Sequence, residues 1–156
     1  TLKGYKRWAV LGAGSELKAD DAVGMMVAKE LQKALAGRDD ILVIPGSTAP
    51  ENFTGPLKRF NPEHIILVDA AFIAEKTGTV GIIDPACIKG VSFSTHMLPL
   101  NIIVNYLEQE IGCSVSIIGI QPESTELAEP MGEAVRAAGL ELIEAFEFYA
   151  NSNRSK

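Results

Sequence analysis

A three-layer α/β/α sandwich around a mostly parallel, twisted five-stranded sheet, with one strand antiparallel, is the fold the sequence predicts. Three observations carry it. Short apolar runs alternate with stretches of helical period, the pattern of strands covered by helices on both faces. Glycine and proline punctuate nearly every junction between the two kinds of segment. The third and fourth apolar runs are joined by about ten residues, whereas a parallel crossover takes about a dozen or more, so the fourth strand should be antiparallel or at an edge.

The elements follow in order. Arg7-Trp8-Ala9-Val10-Leu11 reads as a buried strand that stops at Gly12. From Asp20, Val23, Val27, Leu31 and Leu35 recur at steps of four, predicting a helix that Gly37 ends. Ile41-Leu42-Val43-Ile44 is a second strand, closed by Pro45-Gly46. A short helix should end near Phe60, with Gly55-Pro56 weakening its regularity. His64 to Asp69 is the clearest buried strand, although His64 itself, after Asn61-Pro62-Glu63, reads as a surface residue. Thr79 to Ile83 is the fourth strand and Ala86 to Thr95 a loop. Ser94-Thr95-His96 should start a helix with Pro99 in its first turn, carried by Leu100, Ile103, Val104, Leu107 and Ile111 and ended by Gly112. Ser114 to Ile120 is the fifth strand, and a last helix starts near Met131.

Size and charge narrow the function. With 156 residues, 47% of them hydrophobic, the chain suits one domain, residues 1–150, followed by a polar, frayed tail at 151–156. The net charge is -6 and no Lys/Arg cluster offsets it, which argues against a nucleic-acid partner. The apolar runs fall well short of the ~20 residues a membrane span needs. No charged-then-apolar leader opens the sequence, so the expected location is cytoplasmic, without membrane insertion. Cys87 and Cys113 form no CxxC pair and read as small hydrophobes in a reducing compartment.

Chemistry concentrates at strand ends and helix starts. Asp20 and Asp21 follow the first strand, Asp69 ends the third, and His96 stands where the helix before Gly112 begins. In a doubly wound sheet the carboxyl ends of neighbouring strands form the ligand crevice. Two carboxylates and an imidazole there would make a mixed oxygen–nitrogen site for a divalent ion such as nickel or zinc. Each residue also has a plainer use, as a helix cap or a turn acceptor. Gly12-Ala13-Gly14 resembles the start of a dinucleotide fingerprint, but Leu17 fills its third glycine position and the second strand ends in Ile44-Pro45 without a ribose-binding acid. There is no G-x-S-x-G for a serine hydrolase.

Five blocks stand in order: Gly12-Ala13-Gly14-Ser15-Glu16-Leu17-Lys18-Ala19-Asp20-Asp21-Ala22-Val23-Gly24; Pro45-Gly46-Ser47-Thr48-Ala49 running into Pro50-Glu51-Asn52; Val68-Asp69-Ala70; Thr95-His96-Met97-Leu98-Pro99-Leu100; and Gly119-Ile120-Gln121-Pro122-Glu123, followed by Leu127 and Met131. Together they resemble the motifs of the hydrogenase maturation endopeptidases, closest to the branch serving membrane-bound, formate-hydrogenlyase-type hydrogenases. The resemblance implies an endopeptidase that removes a short C-terminal extension from the nickel-loaded large-subunit precursor of a nickel-iron hydrogenase. It implies Asp21, Asp69 and His96 as metal-binding and catalytic positions, with Asp20 a neighbour that orients the site or accepts a proton. The nickel would arrive with the precursor, and zinc, cadmium or another divalent ion could stand in for it. A non-catalytic nickel-sensing chaperone for the same precursor is the alternative. Two positions depart from the family pattern. Ser15 replaces the usual Asn, a small change because serine still bonds turn amides. Pro45 replaces an Asp, which puts the role of that loop in question.

Overall fold

A computed structural model describes residues 2–47, 51–87, 92–93 and 100–153. The strands are β1 (Trp8–Ala13), β2 (Ile41–Ser47), β3 (His64–Phe72), β4 (Val80–Ile83), β5 (Ser92–Phe93) and β6 (Ser114–Ile120). The helices are α1 (Val23–Ala34), α2 (Glu51–Phe60), α3 (Leu100–Ile111) and α4 (Glu133–Ser152). The main sheet runs β2-β1-β3-β6-β4. Its first four strands are mutually parallel, and β4 pairs antiparallel with β6 from Val80↔Ile120 to Ile83↔Ile117. The expected five strands with one antiparallel at an edge are therefore present. β5 adds a short antiparallel pairing to the far end of β3, Ala71↔Phe93 and Phe72↔Ser92.

The pleat of β3 explains the three layers. Successive side chains of a strand point to opposite faces. Ile66, Val68 and Ala70 pack with Val23, Val27 and Leu31 of α1 and with Val135 and Phe146 of α4. Ile65, Leu67 and Ala71 pack with Leu57 of α2 and with Val104 and Leu107 of α3. Burying each large aliphatic side chain contributes about 2 kcal/mol, so both faces hold the sheet. Trp8 anchors the α4 side, stacked on Phe146 at a centroid distance of 5.9 Å.

Several local expectations change. The helix expected from Asp20 is preceded by a 3-10 turn, Ala19–Ala22, and α1 begins only at Val23. α2 continues through Pro56, held by the buried Phe53 and Leu57. The helix expected to begin near His96 is seen from Leu100, and residues 94–99 lie outside the described residues. α4 extends to Ser152, past the expected start of the tail at Asn151. Arg38 supports that end: Nη1 donates to the Ala150 carbonyl at 2.9 Å while Nε and Nη2 hold Asp40 at 2.8 and 2.6 Å.

His64 is buried, not superficial, with 3% of its surface exposed. Its strand is interior, paired with β1 through Trp8↔His64 and with β6 through His64↔Ser114. The N-terminal segment covers what the sheet leaves open: Tyr5 stacks on the imidazole at 4.6 Å, and Nδ1 lies 2.6 Å from Ser114 Oγ.

Candidate active site

β1 lies between β2 and β3, so the connections that leave β1 and β3 diverge, and the carboxyl ends of these two strands form the topological switch point at which such sheets bind ligands. The glycine turn after β1 builds one wall. A side chain at Gly24 would collide with the carbonyls of Ala13 and Val68, and one at Gly12 with the carbonyl of Gly24. Strand and helix thus touch backbone to backbone. Gly14, at φ +116°, turns the chain where a side chain would strike the Asp21 carbonyl. These glycines serve packing that presses the 3-10 turn against the sheet.

That turn carries both acids. Asp21 is 1% exposed, and its Oδ2 accepts the Ser15 N–H at 3.0 Å. Ser15 also receives the Leu17 N–H on Oγ at 3.3 Å, so it does bond turn amides as its substitution for Asn requires. Asp69 lies one residue beyond the Gly12↔Val68 pair, fully buried, with Oδ1 accepting the Ala70 N–H at 2.9 Å. Asp21 and Asp69 are therefore delivered to the same edge, one from the turn after β1 and one from the end of β3. By the pleat, Asp69 shares its side of the sheet with Leu67 and Ala71, the side covered by α3. α3 begins four residues after His96, and His96 itself lies outside the described residues. Among the described residues, no group of three or more His, Cys, Asp or Glu side chains could hold a metal ion.

Asp20 is placed differently from its neighbour. Its carboxylate, also 1% exposed, accepts three backbone N–H groups: Glu123 at 2.8 Å and Ser124 at 3.1 Å on Oδ2, and Gly132 at 2.7 Å on Oδ1. Gln121 is a structural residue that sequence reasoning did not single out. Buried after the apolar end of β6, its Oε1 accepts the N–H of Ile73 at 2.8 Å, and its Nε2 donates to the Pro122 carbonyl at 3.0 Å. An amide directly after the apolar Ile117-Ile118-Gly119-Ile120 end of the strand is the available signal. Pro45 pairs with Gly12 on β2, an edge strand, where proline's missing N–H is tolerated.

The fold and this edge define a doubly wound α/β domain with buried carboxylates at its switch crevice. The family model for hydrogenase maturation protease matches residues 25–147. A Methanocaldococcus jannaschii protein described as a hydrogenase maturation protease is 39% identical over 148 residues, 91% of this chain and 87% of the relative. The hydrogenase 3 maturation protease of Escherichia coli K12 is 32% identical over 130 residues, 83% of this chain and 81% of the relative. The crystal structure of the NiFe hydrogenase maturation protease HycI from Thermococcus kodakarensis superposes with a TM-score of 0.85 at 32% identity, covering 94% of both chains. The chain belongs to the hydrogenase maturation protease family, as its motifs indicate, and membership makes it a protease.

Proposed function

We propose that the protein is the endopeptidase that removes a short C-terminal extension from the nickel-loaded large-subunit precursor of a nickel-iron hydrogenase. The observation that supports this reading is that two buried acids, Asp21 and Asp69, lie on separate elements at the carboxyl edge of β1 and β3. Carboxylate oxygens are hard donors of the kind that suit a divalent cation. His96 supplies the third ligand in this reading, from the segment leading into α3. The nickel belongs to the precursor, and zinc or cadmium substitutes for it.

Asp21, Asp69 and His96 would hold the divalent ion, which would supply Lewis-acid polarisation at the scissile peptide bond. The chain's own residues orient that centre. The Ser15 N–H fixes one Asp21 oxygen, and the Ala70 N–H fixes one of Asp69. Asp20 contributes by holding the neighbouring segment, an orienting role.

The experiment is cleavage of nickel-loaded precursor by Asp21→Asn, Asp69→Asn and His96→Gln, read by intact mass. Each change should lower the rate by at least about 100-fold while the wild type removes the C-terminal extension. Near-wild-type processing by all three variants would remove the basis of the reading. Binding of precursor by the wild type with no loss of mass would establish the chaperone alternative instead.

A further inference from the structure

Asp20 reaches across the chain. Its three carboxylate bonds go to residues more than a hundred positions away, and its own N–H donates to the Ser124 carbonyl at 3.1 Å. A second tie runs beside it, from the Ala128 N–H to the Leu17 carbonyl at 2.8 Å. Between β6 and α4 the chain has no helix or strand to order it. These bonds, with Ala128 in the left-handed region at φ +64°, fix its path against the glycine turn. The joined segments expose two large aliphatic side chains: Leu17 is 71% and Leu127 is 67% exposed. Both are carried by backbone bound directly to the turn that bears Asp21.

We propose that Asp20 is a positioning residue whose carboxylate sets the 123–132 segment as the wall against which the precursor's polypeptide is held. The proposal rests on the carboxyl edge being the active site. The wall offers Leu127 as an apolar contact, with the exposed Glu123 and Glu126 beside it. An extended polypeptide with an aliphatic side chain flanked by positive charge matches that surface. Asp20 itself does not touch the substrate. It keeps the wall in register with Asp21, one residue along the same turn.

An asparagine at 20 presents one acceptor and one donor, so at least one of the three N–H groups would face another donor. Asp20→Asn and Asp21→Asn are to be compared on nickel-loaded precursor, with kcat, KM and the pH profile measured. Asp20→Asn should raise KM about tenfold, leave kcat within about twofold and leave the pH profile in place. Its Glu123, Ser124 and Gly132 amides should exchange at least about tenfold faster, with β3 amides unchanged. A fall in kcat at unchanged KM, or a displaced pH profile, would make Asp20 part of the chemistry and overturn the proposal. Normal processing by Asp21→Asn would instead overturn the site on which it rests. Should Asp20→Asn not fold, Leu127→Ser decides. That exposed change should leave Tm unaltered and raise KM about tenfold, and an unchanged KM overturns the proposal.

Discussion

At the scale of single residues, burial of polar groups has consequences that can be measured. His64 Nε2 is enclosed without a hydrogen-bond partner among the described residues. Desolvation of the ring by burial pushes its pKa below the ordinary 6.5. The folded protein therefore binds a proton at this ring less readily than the unfolded chain does. Stability from His64 is complete above pH 6.5 and is lost as pH falls through 6.5 toward the depressed folded value. Denaturant melts of the wild type should show stability declining from pH 7 to pH 5. His64→Gln, which has no titrating ring, should show a flatter decline over the same window. Parallel slopes for the two proteins would mean that the fold does not couple to this imidazole.

At the scale of elements, the contact between β1 and α1 is set by Gly12 and Gly24, whose backbones meet without side chains between them. Gly24→Ala puts a methyl group into the carbonyls of Ala13 and Val68, neither of which can swing aside as a side chain would. The helix must move off the sheet. The change should cost about 3 kcal/mol, seen as a lowered denaturation midpoint, and it should also displace Asp21 and reduce processing. A stable, fully active Gly24→Ala would show that the close approach is dispensable. The same region shows what sequence can and cannot disclose. β6 is legible from Ser114 to Ile120 because Val115, Ile117, Ile118 and Ile120 concentrate β-branched residues in a short run after Gly112. The sequence marks β3 only to Asp69, and the strand continues to Phe72 because its last residues pair with the distant β5. The 3-10 turn at Ala19–Ala22 carries no periodic signal, so sequence alone does not separate it from the helix it precedes. Asp21 and Asp69 are legible as strand-end acids. The work of Asp20 is not, since its partners at 123, 124 and 132 come together only in three dimensions.

At the scale of the whole molecule, the placement of the acids follows from how cooperativity is distributed over the sheet. β3 is hydrogen-bonded on both edges, to β1 and to β6, and nearly all of it is buried from His64 to Ala71. Among the described residues β2 and β4 each have one edge without a strand partner, and β4 is four residues long with Ile82 64% exposed. Opening β4 exposes little new apolar surface, whereas opening β3 dismantles both core layers at once. Amides of Ile66, Leu67 and Val68 should thus exchange only through global unfolding, with the full denaturant dependence of the equilibrium melt. The β4 amides paired with β6 should exchange through a smaller opening with a shallower dependence. Asp69 grows from the most protected strand, and Asp21 from a turn pinned to that strand's neighbour. The proposed site, whose donors would have to stay within about 0.5 Å of their working positions, would gain from that anchorage. Denaturant should therefore release β4 while cleavage of the precursor persists, and activity should fall only with the β3 amides. Loss of activity coincident with the opening of β4 would place the site's rigidity at the sheet's edge and contradict the anchorage in β3.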